Sequence, residues 1–100
     1  MKFFRPAEVF PPGEHLREEL EACGWKQSYL ARIIGRPLQM VNEIINGRKR
    51  ITAETAKEIG LALGTSAEVW INLQVSYDLW HSKDPDAKIA KRAAAMSGAR

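Results

Sequence analysis

The chain has 100 residues, of which 45% are hydrophobic and 27% charged, with a formal net charge of +3. This length predicts a single domain with one hydrophobic core, and the single cysteine excludes an intrachain disulfide. The first residues lack the apolar region of a secretion signal, and no apolar run reaches the about 20 residues that a membrane span needs, so we expect a cytoplasmic protein without membrane contact.

The first part of the chain predicts an arm followed by a helix. Residues 1–12 contain three prolines and three phenylalanines, which predicts an extended arm. Leu16, Leu20 and Cys23 then recur at helical spacing, which predicts a helix from about residue 14 with these side chains in the core. Gly24 is placed to end that helix in a left-handed conformation.

Residues 27–46 predict two short helices joined by a sharp turn. The first ends at Gly35, and the second begins at Pro37, whose missing N–H costs nothing in a first helical turn. At about 100° per residue, the second of these helices has two distinct faces. The apolar face comprises Met40, Val41, Ile44 and Ile45, and the polar face comprises Gln39, Asn42, Glu43 and Asn46, with Leu38 at the boundary. Amide side chains carry a donor and an acceptor side by side, which matches the edge of adenine in the major groove.

Positive charge is concentrated around these two helices. Residues 26–50 contain six basic residues and one acidic residue, a local charge of +5 in a chain whose total is +3. This pattern predicts a DNA-binding surface, although a plain solvated face is the alternative. The base-reading residues are expected to be Leu38, Gln39, Asn42 and Glu43, and the phosphate contacts Gln27, Arg36, Asn46, Arg48, Lys49 and Arg50.

Three further helices are predicted in the second half of the chain. Thr52 is a suitable N-cap for a fourth helix, which Gly64 closes. Residues 65–68 form a capping box that opens a fifth helix, which ends near His81. Asp84 and the proline after it begin a short tail helix.

The fifth helix has two apolar stripes. The first comprises Val69, Trp70, Leu73, Tyr77 and Trp80, and the second comprises Ile71, Val75 and Leu79. Either both stripes are buried within the monomer, or one of them faces a two-fold partner. Aromatic side chains are typical interface anchors, so we expect a homodimer and assign the first stripe to its interface.

These elements predict a compact all-α domain of five helices with an extended N-terminal arm and a short C-terminal tail helix. We expect the arm to comprise residues 1–12, the DNA-binding and dimerisation domain residues 13–81, and the tail residues 82–100.

Several residues match the helix-turn-helix pattern of the Xre-type domains of phage repressors, which the chain resembles. They are Gln27, Leu30, Ala31, Gly35, Val41, Ile44 and Gly47. The segments PGEHLREEL, VNEIINGRKRIT, ALGTS and WINLQVSYDLW further resemble the HigA antitoxins, also called VapI-like, over residues 12 to about 80. Arg36 and Pro37 depart from the usual apolar–serine pair, and Leu38 stands at a position that is more often polar, so we expect it to contact a thymine methyl group.

The resemblance implies a homodimer that binds its own operator and holds a HigB-type toxin, a ribosome-dependent mRNA endonuclease, inactive. Two alternatives remain open at this point, namely a stand-alone repressor without a toxin and a protein-binding adaptor with a vestigial DNA face. The toxin contact is expected on the arm and the first helix, at Phe3, Phe4, Phe10, Glu14, Glu18 and Glu19. Alternatively, these phenylalanines pack on their own domain and the glutamates face water.

An enzymatic or metal-dependent function is not expected from this sequence. His15 and His81 are 66 positions apart without a set of ligands at metal-binding spacing, and no nucleophile has a recognisable partner. We therefore predict no catalytic residue, no metal and no cofactor.

Overall fold

The computed structural model describes residues 10–98, which form six helices and, within that range, no strand. The helices are α1 (Pro12–Cys23), α2 (Gln27–Ile34), α3 (Leu38–Ile45), α4 (Ala53–Leu63), α5 (Ala67–His81) and α6 (Lys88–Gly98). The expected all-α fold is confirmed, with the tail helix as α6. Helix α1 begins at Pro12, earlier than expected, because proline suits the first helical turn.

One core joins the first five helices. Its fully buried side chains are Leu16, Leu20, Leu30, Ala31, Val41, Ile44, Ile45, Ile51, Ala56, Ile59 and Trp70. Helix α4 packs chiefly on α5, and α2 packs chiefly on α3. Every residue of α6 is exposed, so this helix adds nothing to the core.

The prediction that Cys23 lies in the core is wrong, because its side chain is exposed at the last residue of α1. The chain reverses at Gly24, whose φ of 72° is left-handed, and Trp25 packs back against the core. The N–H of Trp25 donates to the carbonyl of Leu20 at 2.9 Å, which fixes this reversal. The larger indole thus covers the end of α1.

The start of α5 differs from the expected capping box by one residue. The N-cap is Ser66, whose hydroxyl accepts a hydrogen bond from the N–H of Val69 at 3.3 Å. The hydroxyl of Thr65 instead accepts a hydrogen bond from the Trp70 indole Nε1 at 2.7 Å. This bond satisfies the only polar atom of the Trp70 side chain, which is otherwise buried in apolar surroundings.

Four of the five residues in the stripe of α5 that was assigned to a dimer interface are buried or half-buried in their own domain. Trp70 is 1% exposed, Leu73 packs against the core, and Tyr77 and Trp80 are half-buried, whereas Val69 is exposed. Trp70 is therefore not available to a partner, and its assignment to the interface is wrong. On the opposite stripe Val75 is 45% and Leu79 70% exposed, so this stripe faces outward at these two residues, whereas Ile71 packs against the core.

Candidate nucleic-acid interface

Helices α2 and α3 are joined by a turn that begins at Gly35. This residue has a φ of 71°, which a side chain would strain, and its N–H donates to the carbonyl of Ala31 to close α2. Pro37 then takes an extended conformation as the N-cap of α3. Ala31 is buried where α3 crosses α2, so the small side chain allows the two helices to approach closely.

The two faces expected for α3 are found in the structure. Val41, Ile44 and Ile45 are buried, whereas the amide side chains at 39, 42 and 46 are exposed and Leu38 is half-exposed. The helix therefore packs its apolar face into the core and presents a polar face outward.

A chain of side-chain hydrogen bonds orders this polar face. Asn46 Nδ2 donates to Asn42 Oδ1 at 3.1 Å, and Asn42 Nδ2 donates to Gln27 Oε1 at the start of α2, also at 3.1 Å. On the other side, Arg17 Nη2 of α1 donates to Asn46 Oδ1 at 3.5 Å. The amides are thus partly oriented before any ligand binds, which reduces the entropy lost on binding. Arg17 was not expected at this surface, because it is 29 positions from Asn46.

Residues Gln39 and Glu43 form a separate pair on the same face. Gln39 Nε2 donates to Glu43 Oε2 at 3.4 Å, one helical turn away. The Gln39 side chain nevertheless remains exposed in the first turn of α3.

Arg36 has a different position from the one expected of a phosphate contact. Its guanidinium forms two hydrogen bonds to Glu58 of α4, at 2.9 and 2.7 Å, and lies 3.2 Å from Glu54. The hydrogen bonds to Arg36 hold the pKa of Glu58 below its ordinary value, and the bonds to Glu58 and then Glu54 raise that of Arg36. A guanidinium bound in this bidentate manner ties the turn before α3 to α4. The Arg36 guanidinium is thus engaged with α4 and is not among the proposed phosphate contacts.

The loop after α3, residues 47–50, is called the basic loop below. Gly47 begins it with a φ of 77°, and the side chains of Arg48, Lys49 and Arg50 are exposed. The N–H groups of Arg48 and Lys49 both donate to the carbonyl of Glu43, at 2.8 and 3.2 Å. Arg50 forms an ion pair with Asp78 of α5. Of these three exposed cations, Arg48 and Lys49 form no ion pair with another residue of the described range.

The residues expected to contact a toxin lie partly within the described range. Phe10 is 47% exposed. Its ring packs edge-on against that of His15, with 6.1 Å between the two ring centroids. Glu14, Glu18 and Glu19 are exposed on α1. Phe3 and Phe4 lie outside the described residues.

Residues 10–98 contain neither a candidate metal centre nor a candidate membrane-spanning helix. This range contains no group of three or more His, Cys, Asp or Glu side chains that could hold a metal ion. None of its six helices combines the length and the apolar character that a bilayer crossing requires.

The chain matches the helix-turn-helix family over residues 16–70. It is 39% identical over 69 residues to virulence-associated protein I of Dichelobacter nodosus, a match that covers 68% of this chain and 64% of that relative, less than two thirds of its length. It is 36% identical over 88 residues to antitoxin HigA-1 of Vibrio cholerae, covering 87% of this chain and 80% of the relative.

Among solved structures, the chain is similar to the Pseudomonas aeruginosa antitoxin HigA with the higBA promoter. The TM-score is 0.70 at 32% sequence identity, and the alignment covers 86% of this chain and 89% of that one.

Proposed function

This chain belongs to the HigA family of helix-turn-helix antitoxins, and we propose that it binds a duplex operator through α3 and represses its own operon. The observation that carries this proposal is the exposed amide face of α3, opposite a fully buried apolar face. An eight-residue helix is roughly 12 Å long and fits the major groove. The similar antitoxin that was solved with promoter DNA supports this reading.

Each part of the surface has its own role in this proposal. Leu38, Gln39, Asn42 and Glu43 face the bases, because they lie on the outer face of α3. Gln27, at the start of α2, and Asn46 position the helix against phosphates. Arg48 and Lys49 of the basic loop contact the phosphates beyond the end of α3.

A second copy of the chain is the proposed partner of the outward stripe of α5. Val75 and Leu79 expose large apolar side chains on this stripe, whereas Ile71 packs against the core. Such a surface is stabilised by contact with an equivalent one across a two-fold axis. A homodimer would place two copies of α3 on a palindromic operator with half-sites about one helical turn or a multiple apart.

A HigB-type toxin is the proposed protein partner, as membership of the family implies. Phe10 offers an exposed aromatic ring before the start of α1, and Glu14, Glu18 and Glu19 are exposed acidic side chains on that helix. A toxin that cleaves mRNA needs a basic surface for RNA, and an acidic helix face favours association with such a surface. We place this complex in the cytoplasm, where the operator and the mRNA lie.

Two experiments test these proposals separately. Selection from a random duplex library should yield a palindromic site, and recovery of no enriched sequence would contradict operator binding. Co-expression with a HigB-type toxin, followed by purification, should yield a stable complex that suppresses the toxin's RNA cleavage. An intact protein that binds its selected site but forms no such complex would be a stand-alone repressor.

A further inference from the structure

The buried amide of Gln74 links α5 to the end of the basic loop. Gln74 is 4% exposed, although it lies on the inner face of α5 beside the apolar Trp70. Its Oε1 accepts a hydrogen bond from the N–H of Ile51 at 2.7 Å, and the Ile51 side chain is fully buried. Ile51 lies between α3 and α4, outside any helix, so Gln74 supplies the partner that its buried N–H requires.

The link continues one helical turn further along α5. Gln74 Nε2 donates to Asp78 Oδ1 at 3.0 Å, and the second carboxylate oxygen of Asp78 accepts from Arg50 Nη2. The backbone at residue 51 and the side chain at residue 50 are therefore held by the same face of α5. Chains of hydrogen bonds of this kind strengthen one another and fix a unique arrangement.

The basic loop is thus tied at both ends. Its first part is bound to α3, since the N–H groups of Arg48 and Lys49 donate to the Glu43 carbonyl. Its last part is bound to α5 through Gln74 and Asp78. The exposed side chains of Arg48 and Lys49 belong to the residues of the first tie, directly before Arg50 and Ile51, which form the second.

We propose that Gln74 and Asp78 are positioning residues for DNA binding, which hold the basic loop so that Arg48 and Lys49 meet the phosphates. In this arrangement Arg50 is an anchor to α5 rather than a phosphate contact. The proposal rests on the proposed operator binding and adds to it a dependence of phosphate contact on α5. It also assigns a role to two side chains that do not belong to the polar face of α3.

Substitution of Asp78 distinguishes positioning from simple electrostatics. Removal of an acidic side chain beside DNA ordinarily increases affinity, because one repulsive charge is lost. If Asp78 positions the loop, Asp78→Ala instead lowers affinity for a duplex of random sequence at least about fivefold. The plot of log K against log salt should become shallower by about 0.9 to 1.8 units, since one or both loop contacts are lost.

Three variants serve as controls for this experiment. Asp84→Ala removes an equal charge from an exposed site after α5 and should leave affinity unchanged or higher. Asp78→Asn removes the charge and keeps one acceptor oxygen, but its amide nitrogen would face a donor, so it can retain only one of the two hydrogen bonds and should bind with an affinity between those of the parent and Asp78→Ala. The double variant Arg50→Ala with Asp78→Ala should lose less affinity than the sum of the losses in the two single variants, because the two side chains act as one unit.

Hydrogen exchange without DNA provides an independent readout. The amides at residues 48–51 should exchange faster in Asp78→Ala than in the parent, while those of α4 remain protected. Unchanged exchange, or Asp78→Ala binding as tightly as the parent, would overturn the inference while leaving operator binding intact. A loss of DNA affinity in Arg50→Ala together with a gain of DNA affinity in Asp78→Ala would also overturn the inference. Failure of the parent protein to bind any duplex would overturn the proposed function and, with it, this inference.

Discussion

The Cα of Gly13 in α1 lies directly against the carbonyl oxygen of Ile44 in α3. A Cβ atom at residue 13 would be 2.1 Å from that oxygen and 2.6 Å from the carbonyl oxygen of Ile45. The start of α1 thus packs on the last turn of the proposed recognition helix, at a distance that only glycine allows. Any side chain at this position must move one of the two helices.

The variant Gly13→Ala should therefore be less stable and bind DNA less well. The clash is with backbone, so we expect the free energy of unfolding to fall by about 1–3 kcal/mol in denaturant titrations. Gly24→Ala is the matched control, because its φ is also unfavourable for alanine but no atom lies within 4 Å of the added Cβ. It should lose stability and keep its DNA affinity in the folded state. Equal DNA affinity of folded Gly13→Ala and the parent would contradict the proposed link to α3.

The ion pair between Arg36 and Glu58 predicts a specific dependence of stability on pH. Because the folded state holds the pKa of Glu58 below its ordinary value, the pair stabilises the fold above the unfolded pKa of about 4.3. This contribution is lost as the pH falls through the folded pKa. The stability difference between the parent and Glu58→Gln should be constant near neutral pH and shrink below about pH 4.3. A difference that grows on acidification would show that the pair is not formed.

Outward residues of α5 should control dimerisation. Leu79→Glu places a charge on the exposed stripe and should convert a dimer into a folded monomer in analytical ultracentrifugation. Leu61→Glu is the matched control, because Leu61 on α4 is also highly exposed but lies outside that stripe. A parent protein that is monomeric at micromolar concentration, or a Leu79→Glu variant that remains dimeric, would exclude this interface.

Lys49 should contribute to affinity independently of the DNA sequence. Replacement by alanine removes one proposed phosphate contact, so binding to operator and to random duplexes should weaken alike. The slope of log K against log salt should become shallower by about 0.9 units. An unchanged slope would show that the Lys49 side chain faces solvent in the complex.

Local sequence patterns predicted the helices and the two faces of α3, because helical periodicity and end signals are properties of neighbouring residues. They did not predict contacts between distant residues. Arg36 and Glu58 are 22 positions apart, and nothing in the local sequence shows that α4 approaches the turn. Gln74 is likewise a polar residue on the buried side of α5. Its burial is explained only by the hydrogen bond that it accepts from the Ile51 N–H. Which stripe of α5 faces inward also depends on how whole helices pack.

The central claim is that the outer face of α3 reads bases, and Gln39 tests it most directly. Gln39 is exposed on that face and lies outside the chain of hydrogen bonds that links Asn42 to α2. The affinities of the parent and Gln39→Ala should be compared on the selected operator and on a scrambled duplex at one salt concentration. We predict a loss of about 1–3 kcal/mol on the operator and little change on the scrambled duplex. Equal losses on both duplexes, or none on either, would contradict the claim.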